Sequence, residues 1–474
     1  MNTLPLVIDL DGTLIHTDLF LESCFTLIRT DPARAFHPFV WLTRGKAYLK
    51  AKLAHRADID ATCLPYNTQV LALIREARAQ GRPVVLATAS HQIYANRVAA
   101  HLQLFDRVLA TEDSTNLSAH NKRNRLIAEY GEGGFDYCGN AHDDLPVWAA
   151  ARRAYLVNPQ PGVEAKAKAG GNVQRVIQTP RRRIQSWLKG LRLHQWVKNL
   201  LLFVPLLASH RLNEAALLVK GCLAFFLFGL CASSVYVLND LLDLAHDRRH
   251  AIKRDRPFAS GDLSIAAGIF TFPLLLAVSF TGVALFLPGR FTATLAAYYA
   301  LTLAYSIALK RQMVVDIITL ALLYTLRIIA GAFAFQIPLT FWMLVFSMFI
   351  FLSLALVKRY AELKEARKKN KSAQLRGRGY IADDLEMIAT LGAASGYLSV
   401  MVLALYIQET STAALYRAPQ LIWLACPLLL FWISRTWLLA HRGQIHDDPV
   451  IFAVKDRVSL LVGLLFGAVF WIAT

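Results

Sequence analysis

Two groups of side chains in this sequence have the types and spacing that phosphate chemistry uses. The first is Asp9 and Asp11 in "LPLVIDLDGTL", two carboxylates set two apart where a short apolar run ends. On a strand end they project to the same side, and such a pair supplies a nucleophile and a general acid/base. The second is "VLNDLLDLAHDRRHAIKRDRP", where Asp240, Asp243 and Asp247 are spaced i, i+3, i+7 with Asn239 beside them. On a helix the three acids share one face. Hard oxygen ligands at this spacing suit Mg²⁺, which takes carboxylates, waters and a phosphate-bearing substrate. Lys253, Arg254 and Arg256 follow at once and would clamp phosphates. Acids holding a metal, a metal bridging phosphate oxygens and cations on the leaving group make a diphosphate site.

The elements that must position these groups differ between the two halves. Over the whole chain 55% of residues are hydrophobic and 18% charged, too apolar for an ordinary soluble protein. The apolar residues are concentrated after about Trp187, in long segments between short polar loops; residues 1 to about 180 carry charge throughout. "MNTLPLVIDLDGTL" has neither the cationic start nor the long apolar core of a signal peptide and reads instead as a buried strand. "RPVVLATAS" and "FDYCGNAHDDLPVW" are two further strands, and "LSAHNKRNRL" opens a helix. Strands alternating with helices predict a parallel α/β sheet with its site at the carboxyl strand ends. The six cysteines (Cys24, Cys63, Cys138, Cys222, Cys231, Cys426) have no metal or redox spacing and read as reduced thiols in packed interiors.

A spanning helix needs about 20 apolar residues. Nine segments qualify, starting near Ile184, Ala215, Ser264, Phe291, Met313, Thr340, Glu386, Gln420 and Arg457; the first and fourth are the most polar. Loop charge orients them. Loops after the even-numbered segments hold 19 Lys and Arg, among them Lys310, Arg311, Lys358, Arg359, Lys371, Arg376 and Arg378, against Arg211, Arg290 and Arg417 in the alternate loops. Even loops and the N-terminal domain are therefore expected on the cytoplasmic side, in agreement with Arg181–Arg183. The net charge of +18 comes from these membrane edges, so it does not point to nucleic acid.

The ordered set of Asp9-Leu10-Asp11-Gly12-Thr13, Thr88, Lys122 and the acids of "GNAHDD" resembles the HAD superfamily of phosphohydrolases over about residues 3–160. The resemblance implies Asp9 as nucleophile, Asp11 as general acid/base, Thr88 and Lys122 on the phosphoryl group, and Asp9, Asp11 and Asp144 about a Mg²⁺. It also implies a largely helical cap at about residues 16–80. One position departs: Asn140 stands where the pattern has an acid, with Asp143 as a possible substitute. A regulatory HAD domain that binds a phosphometabolite is the alternative this departure raises.

"NDLLDLAHDRRHAIKRDRP" resembles the first Asp-rich motif of the UbiA superfamily of intramembrane prenyltransferases, over about residues 185–474. This implies a helical bundle in which Asn239, Asp240, Asp243 and Asp247 bind Mg²⁺ and diphosphate, with Asp240 and Asp243 central to catalysis. Where a second acidic motif belongs, "LVKRYAELKEARKKN" offers Lys358, Arg359 and a single acid, Glu362. With "QWVKN" (Gln195–Asn199) and "YSIALKRQMVVD" (Tyr305–Asp316), this is similar to the decaprenyl-phosphate phosphoribosyltransferase branch, whose acceptor is a polyprenyl phosphate and whose donor is phosphoribosyl diphosphate. Lys198, Asn199, Lys310, Lys358 and Arg359 would then serve a second phosphate. An aromatic acceptor with a prenyl diphosphate donor is the alternative. Arg327, mid-segment, is expected to face the cavity. Asp447, Asp448, Asp456 and Arg457 either rim it or form a salt-bridged loop, and Gly331 and Gly392 read as helix-packing contacts.

The expected organisation is a HAD-like domain at 1–160, a basic linker at 161–183 and a transmembrane domain at 184–474. The whole is expected in the cell inner membrane with Mg²⁺ as cofactor.

Overall fold

The computed structural model describes residues 4–112, 115–179, 183–250, 252–369, 379–409, 416–445 and 448–473. Expectations placed on Arg181, Arg182, Lys371, Arg376, Arg378 and Asp447 lie outside these. Two compact units emerge: Met1–Leu191 with Tyr236–Phe272, and Arg192–Val235 with Pro273–Thr474.

In the first unit, strands β1 (Leu6–Ile8), β2 (Val84–His91), β3 (Arg107–Thr111), β4 (Asp136–Gly139), β5 (Arg153–Val157) and β6 (Val173–Ile177) form one parallel sheet of order β3-β2-β1-β4-β5-β6. The central strands are apolar runs without alternation because both faces are covered. Leu6, Ile8, Val84 and Leu86 join one core, and Val7, Val85, Tyr137 and Leu156 the other. Helices α1 (Leu19–Thr30), α2 (His37–Leu42) and α3 (Lys46–Ala54) follow β1, then α4 (Thr68–Ala79). The crossovers are completed by α5 (Gln92–Leu102), α6 (Ala119–Tyr130), α7 (Leu145–Ala150) and α8 (Val163–Ala169). The expected cap at 16–80 is shorter at its far end: Val70, Ile74 and Ala77 of α4 pack into the sheet core. The expected linker at 161–183 is partly domain, since α8 and β6 finish the sheet. Its lysines, Lys166 and Lys168, lie on α8, and β6, "VQRVI", is an edge strand in which Ile177 is the buried residue.

Helix α9 (Arg183–Gly190) and a 3₁₀ segment (Leu193–Phe203) lead to α10 (Val204–Ala208), α11 (Ala215–Leu242), α12 (Leu244–Arg249), α13 (Ile265–Phe286) and α14 (Gly289–Ile307). Then come α15 (Val315–Phe335), α16 (Phe341–Lys369), α17 (Leu385–Gln408), α18 (Ala425–Arg442), α19 (Pro449–Lys455) and α20 (Arg457–Ala473). Among the described residues six helices are long and apolar enough to cross a membrane, or seven if the pair α19 and α20, bent by 85°, is one span. The chain is an integral membrane protein. The expected nine are therefore not all found as spans. The first is broken into α9, the 3₁₀ stretch and α10, as its polar first half requires. The fourth, α14, is a 19-residue helix whose Thr and Tyr hydroxyls dilute its apolar run.

Gly331 and Gly392 are packing positions. A Cβ at Gly331 would collide with the Leu202 carbonyl, and one at Gly392 with the Trp437 ring. The six cysteines are free thiols.

Candidate active sites

The first site gathers at the carboxyl ends of β1, β2 and β4. Asp9 follows β1 directly and is 7% exposed; Thr88 and Lys122 are buried. Lys122 Nζ donates to Asp9 Oδ1 at 2.8 Å and to the Tyr137 hydroxyl at 2.8 Å. Asp11 accepts from the Leu19 backbone N–H at 2.8 Å and the Ser90 hydroxyl at 2.6 Å. The sharp turn after it needs Gly12, whose φ is +74° and whose missing side chain would run into the Asn140 amide. The structure thus brings Asp9, Asp11, Thr88 and Lys122 to one end of the sheet. Burial pushes the Asp9 carboxyl up to about 7 against the pull of Lys122. Burial, with the nearby charge of Asp18, pushes Asp11 up to about 6. Although burial opposes it, the carboxylates of Asp9 and Asp144 hold the Lys122 ammonium above its usual range. A fixed cation beside one carboxylate, and a second carboxyl that titrates near neutrality, suit attack on phosphorus and proton transfer.

Asp144, expected about the Mg²⁺, lies behind Lys122. It is 1% exposed, and its carboxylate accepts from the Asn140 and Ala141 backbone N–H groups at 2.9 Å each and from the Tyr137 hydroxyl at 2.7 Å. It shapes the loop after β4 and backs Lys122 at 3.5 Å. Asp143 is exposed and does not stand in for the missing acid. Asn140 does face the β1 loop, its Oδ1 accepting from the Thr13 hydroxyl at 3.3 Å. Mg²⁺ needs only one or two protein carboxylates beside waters and substrate oxygens, so Asp9 and Asp11 with the Asn140 amide oxygen fit it. Sequence reasoning missed Lys50. From α3 it donates to the Ala89 carbonyl at 2.6 Å and to Asn116 Oδ1 at 2.9 Å, joining the cap to the Thr88 turn. Nothing local marks it; its role exists only once α3 folds over the sheet.

The second group, also in the first unit, is the acidic row. It does not lie on one helix: α11 ends at Leu242, Asp243 caps the next turn, and α12 restarts at Leu244. Asp240 and Asp247 nevertheless converge, each paired with Arg256 Nη1, at 3.1 and 2.7 Å. Asp243 is paired with Arg29 of α1 at 3.0 Å. Arg256, expected on phosphates, here holds carboxylates, because two buried acids need a cation between them. Asn239 and Lys253 are half-buried and Arg254 is exposed. Asp247 Oδ1 is buried without a hydrogen-bond partner. A carboxylate oxygen left unsatisfied next to Asp240 is what a bound Mg²⁺ would complete.

In the second unit lies a cation–acid cluster. Lys198 and Lys358 both donate to Asp448 Oδ2, at 2.7 and 3.1 Å, and the Tyr324 hydroxyl donates to Asp448 Oδ1 at 2.8 Å. Arg327, 4% exposed, donates to Asn199 Oδ1 at 3.2 Å and to the Tyr298 hydroxyl at 2.9 Å, with its guanidinium 4.8 Å from the Tyr298 ring centre. Lys310 is half-buried on a separate 3₁₀ turn. Arg359 moves out of the phosphate-binding set. It is fully buried and enclosed by Asp316 (2.5 Å), Glu362 and the Tyr305 hydroxyl (3.0 Å), which ties α16 to α15. Arg359→Met would leave Asp316 buried without its cation, and a loss of about 3–5 kcal/mol is expected. A lowered thermal midpoint in detergent checks this; an unchanged midpoint would deny the pair its structural role. Asp448 belongs to the cluster, whereas Asp456 is the salt-bridged alternative, paired with Arg435 at 2.6 Å.

Comparisons with known proteins give the following. A protein of Sinorhizobium fredii, "Uncharacterized protein y4nM", is 36% identical over 99% of this chain and 91% of its own. "Nodulation protein NoeC" of Azorhizobium caulinodans is 40% identical over 60% of this chain and 92% of its own. "Decaprenyl-phosphate phosphoribosyltransferase" of Mycobacterium tuberculosis is 32% identical over 63% of this chain and 96% of its own. The haloacid dehalogenase-like hydrolase family model matches residues 6–147, and the UbiA prenyltransferase family model matches residues 200–472. The chain belongs to the UbiA prenyltransferase family and carries a HAD-like domain at its N-terminus.

Proposed function

We propose that the membrane domain transfers phosphoribose from phosphoribosyl diphosphate to a polyprenyl phosphate, and that the HAD-like domain then removes the 5-phosphate of the product. The observation that carries the transferase reading is the Lys198–Asp448–Lys358 cluster. Where a prenyl diphosphate enzyme would present a second set of carboxylates, this chain presents two ammonium groups about one acid, a charge balance suited to a second phosphate-bearing substrate. The relative named for decaprenyl-phosphate phosphoribosyl transfer supports the same reading.

In the transfer, a phosphate oxygen of the polyprenyl acceptor forms the new bond at C1 of the ribose as the C1–O bond to diphosphate breaks. Asp240, Asp243 and Asp247 would hold Mg²⁺, which when bound would supply charge neutralisation for a departing diphosphate. Arg256, now paired with Asp240 and Asp247, is the cation placed to meet phosphate oxygens. In the second step Asp9 attacks the 5-phosphate, Lys122 and Thr88 hold the phosphoryl oxygens, and Asp11 protonates the leaving alcohol. Water, deprotonated by Asp11, then cleaves the aspartyl-phosphate. Both sites act on the cytoplasmic side of the cell inner membrane, and no nucleic acid is involved. Carrying both steps on one chain raises the local concentration of the intermediate at the second site.

The test is purified full-length protein with labelled phosphoribosyl diphosphate and a polyprenyl phosphate. Labelled lipid is expected with Mg²⁺ and none with EDTA. Lipid formed instead from a prenyl diphosphate and an aromatic acceptor would replace this reading with the aromatic prenyltransferase one.

A further inference from the structure

The cap presents an apolar surface that its own fold leaves uncovered. In and around α2, Phe36 is 78% exposed, Phe39 71%, Val40 60% and Leu42 47%. Phe36, Phe39 and Val40 lie at i, i+3 and i+4, one face of a helical turn. The segment cannot roll over to hide them. Trp41 is its inward anchor, 7% exposed, packed with Leu27, Leu49 and Leu53, and covered by the Arg56 guanidinium 4.9 Å from the ring centre. Turning the phenylalanines inward would turn Trp41 out. Arg34, Arg44 and Lys46, all exposed, flank the apolar face.

A second observation says what this face meets. The segment follows α1, and Arg29 in the last turn of α1 is fastened to the end of an apolar 28-residue helix. Its Nη1 donates to the carbonyl of Leu242, the last residue of α11, at 3.4 Å, and pairs with Asp243 at 3.0 Å. The ion pair between Glu22 of α1 and Arg248 of α12, at 2.5 Å and under 5% exposed on both sides, fixes the same register. Arg249 and Asp60 add a third pair at 3.0 Å. The chain turns from apolar span to charged residues across Asn239–Asp243, so that turn marks the bilayer surface, and the 36–42 segment begins seven residues after Arg29, whose side chain is held there.

We propose that residues 36–42 form an interfacial anchor, seated in the headgroup and acyl boundary of the bilayer, with Arg34, Arg44 and Lys46 on anionic lipid headgroups. An aromatic-aliphatic face flanked by cations is the composition that binds this zone, burying its apolar side by about 5–10 Å. The anchor fixes the mouth of the HAD-like site, which the same cap covers through Lys50, toward the lipid surface. The placement does not depend on which reaction either site performs.

The test uses full-length protein in nanodiscs of phosphatidylethanolamine and phosphatidylglycerol doped with a phospholipid carrying a diazirine on its acyl chain. After irradiation and digestion, lipid adducts on the 36–42 peptide are expected at about tenfold the yield on the water-facing helix α6. Phe39→Asp with Val40→Asp should return that yield to the α6 level and leave adducts on α13 unchanged. Both positions are exposed, so folding is not at stake, and a thermal midpoint near that of the wild type provides a check on the fold. Background labelling of this peptide in the wild type would overturn the proposal. So would labelling that the double variant does not reduce. Background lipid labelling together with cross-links between copies through this segment would overturn it in favour of self-association.

Discussion

Asp9→Asn is expected to lower phosphatase turnover by on the order of 10³-fold or more, about 4 kcal/mol of transition-state stabilisation. The amide is close to isosteric, but it cannot form an aspartyl-phosphate. The effect should be specific to chemistry. Lys122 keeps Asp144 as a partner at 3.5 Å and the Tyr137 hydroxyl at 2.8 Å, so the buried ammonium is not stranded. Hydrolysis of p-nitrophenyl phosphate measures the loss, and a thermal midpoint near that of the wild type separates it from unfolding. In the coupled reaction the variant should still make lipid product, now retaining its 5-phosphate. Near-normal hydrolysis would remove Asp9 from the nucleophile's role and favour a regulatory domain.

Asp240→Asn should do the converse. Asp240 is 2% exposed and shares Arg256 with Asp247. Neutralising it removes one of two converging carboxylates where a divalent cation and a diphosphate would meet. Transfer to lipid is expected to fall by on the order of 10²-fold or more, with the remaining activity needing more Mg²⁺. Hydrolysis of a soluble phosphate ester should be untouched. A variant with wild-type transfer at every Mg²⁺ concentration would show that the row does not hold the metal. Together the two substitutions separate the activities, which a shared defect in folding would not do.

How much of this could be read in the chain depended on the range of the interaction. Asp9, Asp11, Thr88 and Lys122 were legible because each ends a strand or opens a helix, so local pattern places all four at one edge of a parallel sheet. The acidic row was legible as chemistry but not as geometry. The i, i+3, i+7 spacing presumes an unbroken helix, and the chain breaks at Asp243, whose carboxylate turns to Arg29, far away in sequence. Arg359 shows the opposite failure. A cation just past an apolar segment looks available for phosphate, yet Asp316 and Tyr305 come from other elements to enclose it. Lys50 and Tyr324 gain their roles from tertiary contact and have no sequence signal, while Asp448 stood in the sequence with two readings open until Lys198 and Lys358 were seen to meet it. The sixth strand was hidden because an edge strand buries little, so its polar residues resemble a tether.

The measurement that tests the account most directly follows one phosphorus atom. Full-length protein with Mg²⁺ and a polyprenyl phosphate is given phosphoribosyl diphosphate labelled with ³²P at the 5-phosphate. The account predicts label entering the lipid first and then leaving it as inorganic phosphate. Release should require the polyprenyl acceptor, should stop at labelled lipid in Asp9→Asn, and should fall with transfer, by on the order of 10²-fold or more, in Asp240→Asn. Label that enters the lipid and stays there in the wild type would contradict the coupling of the two sites. Label that never reaches lipid would contradict the transferase itself.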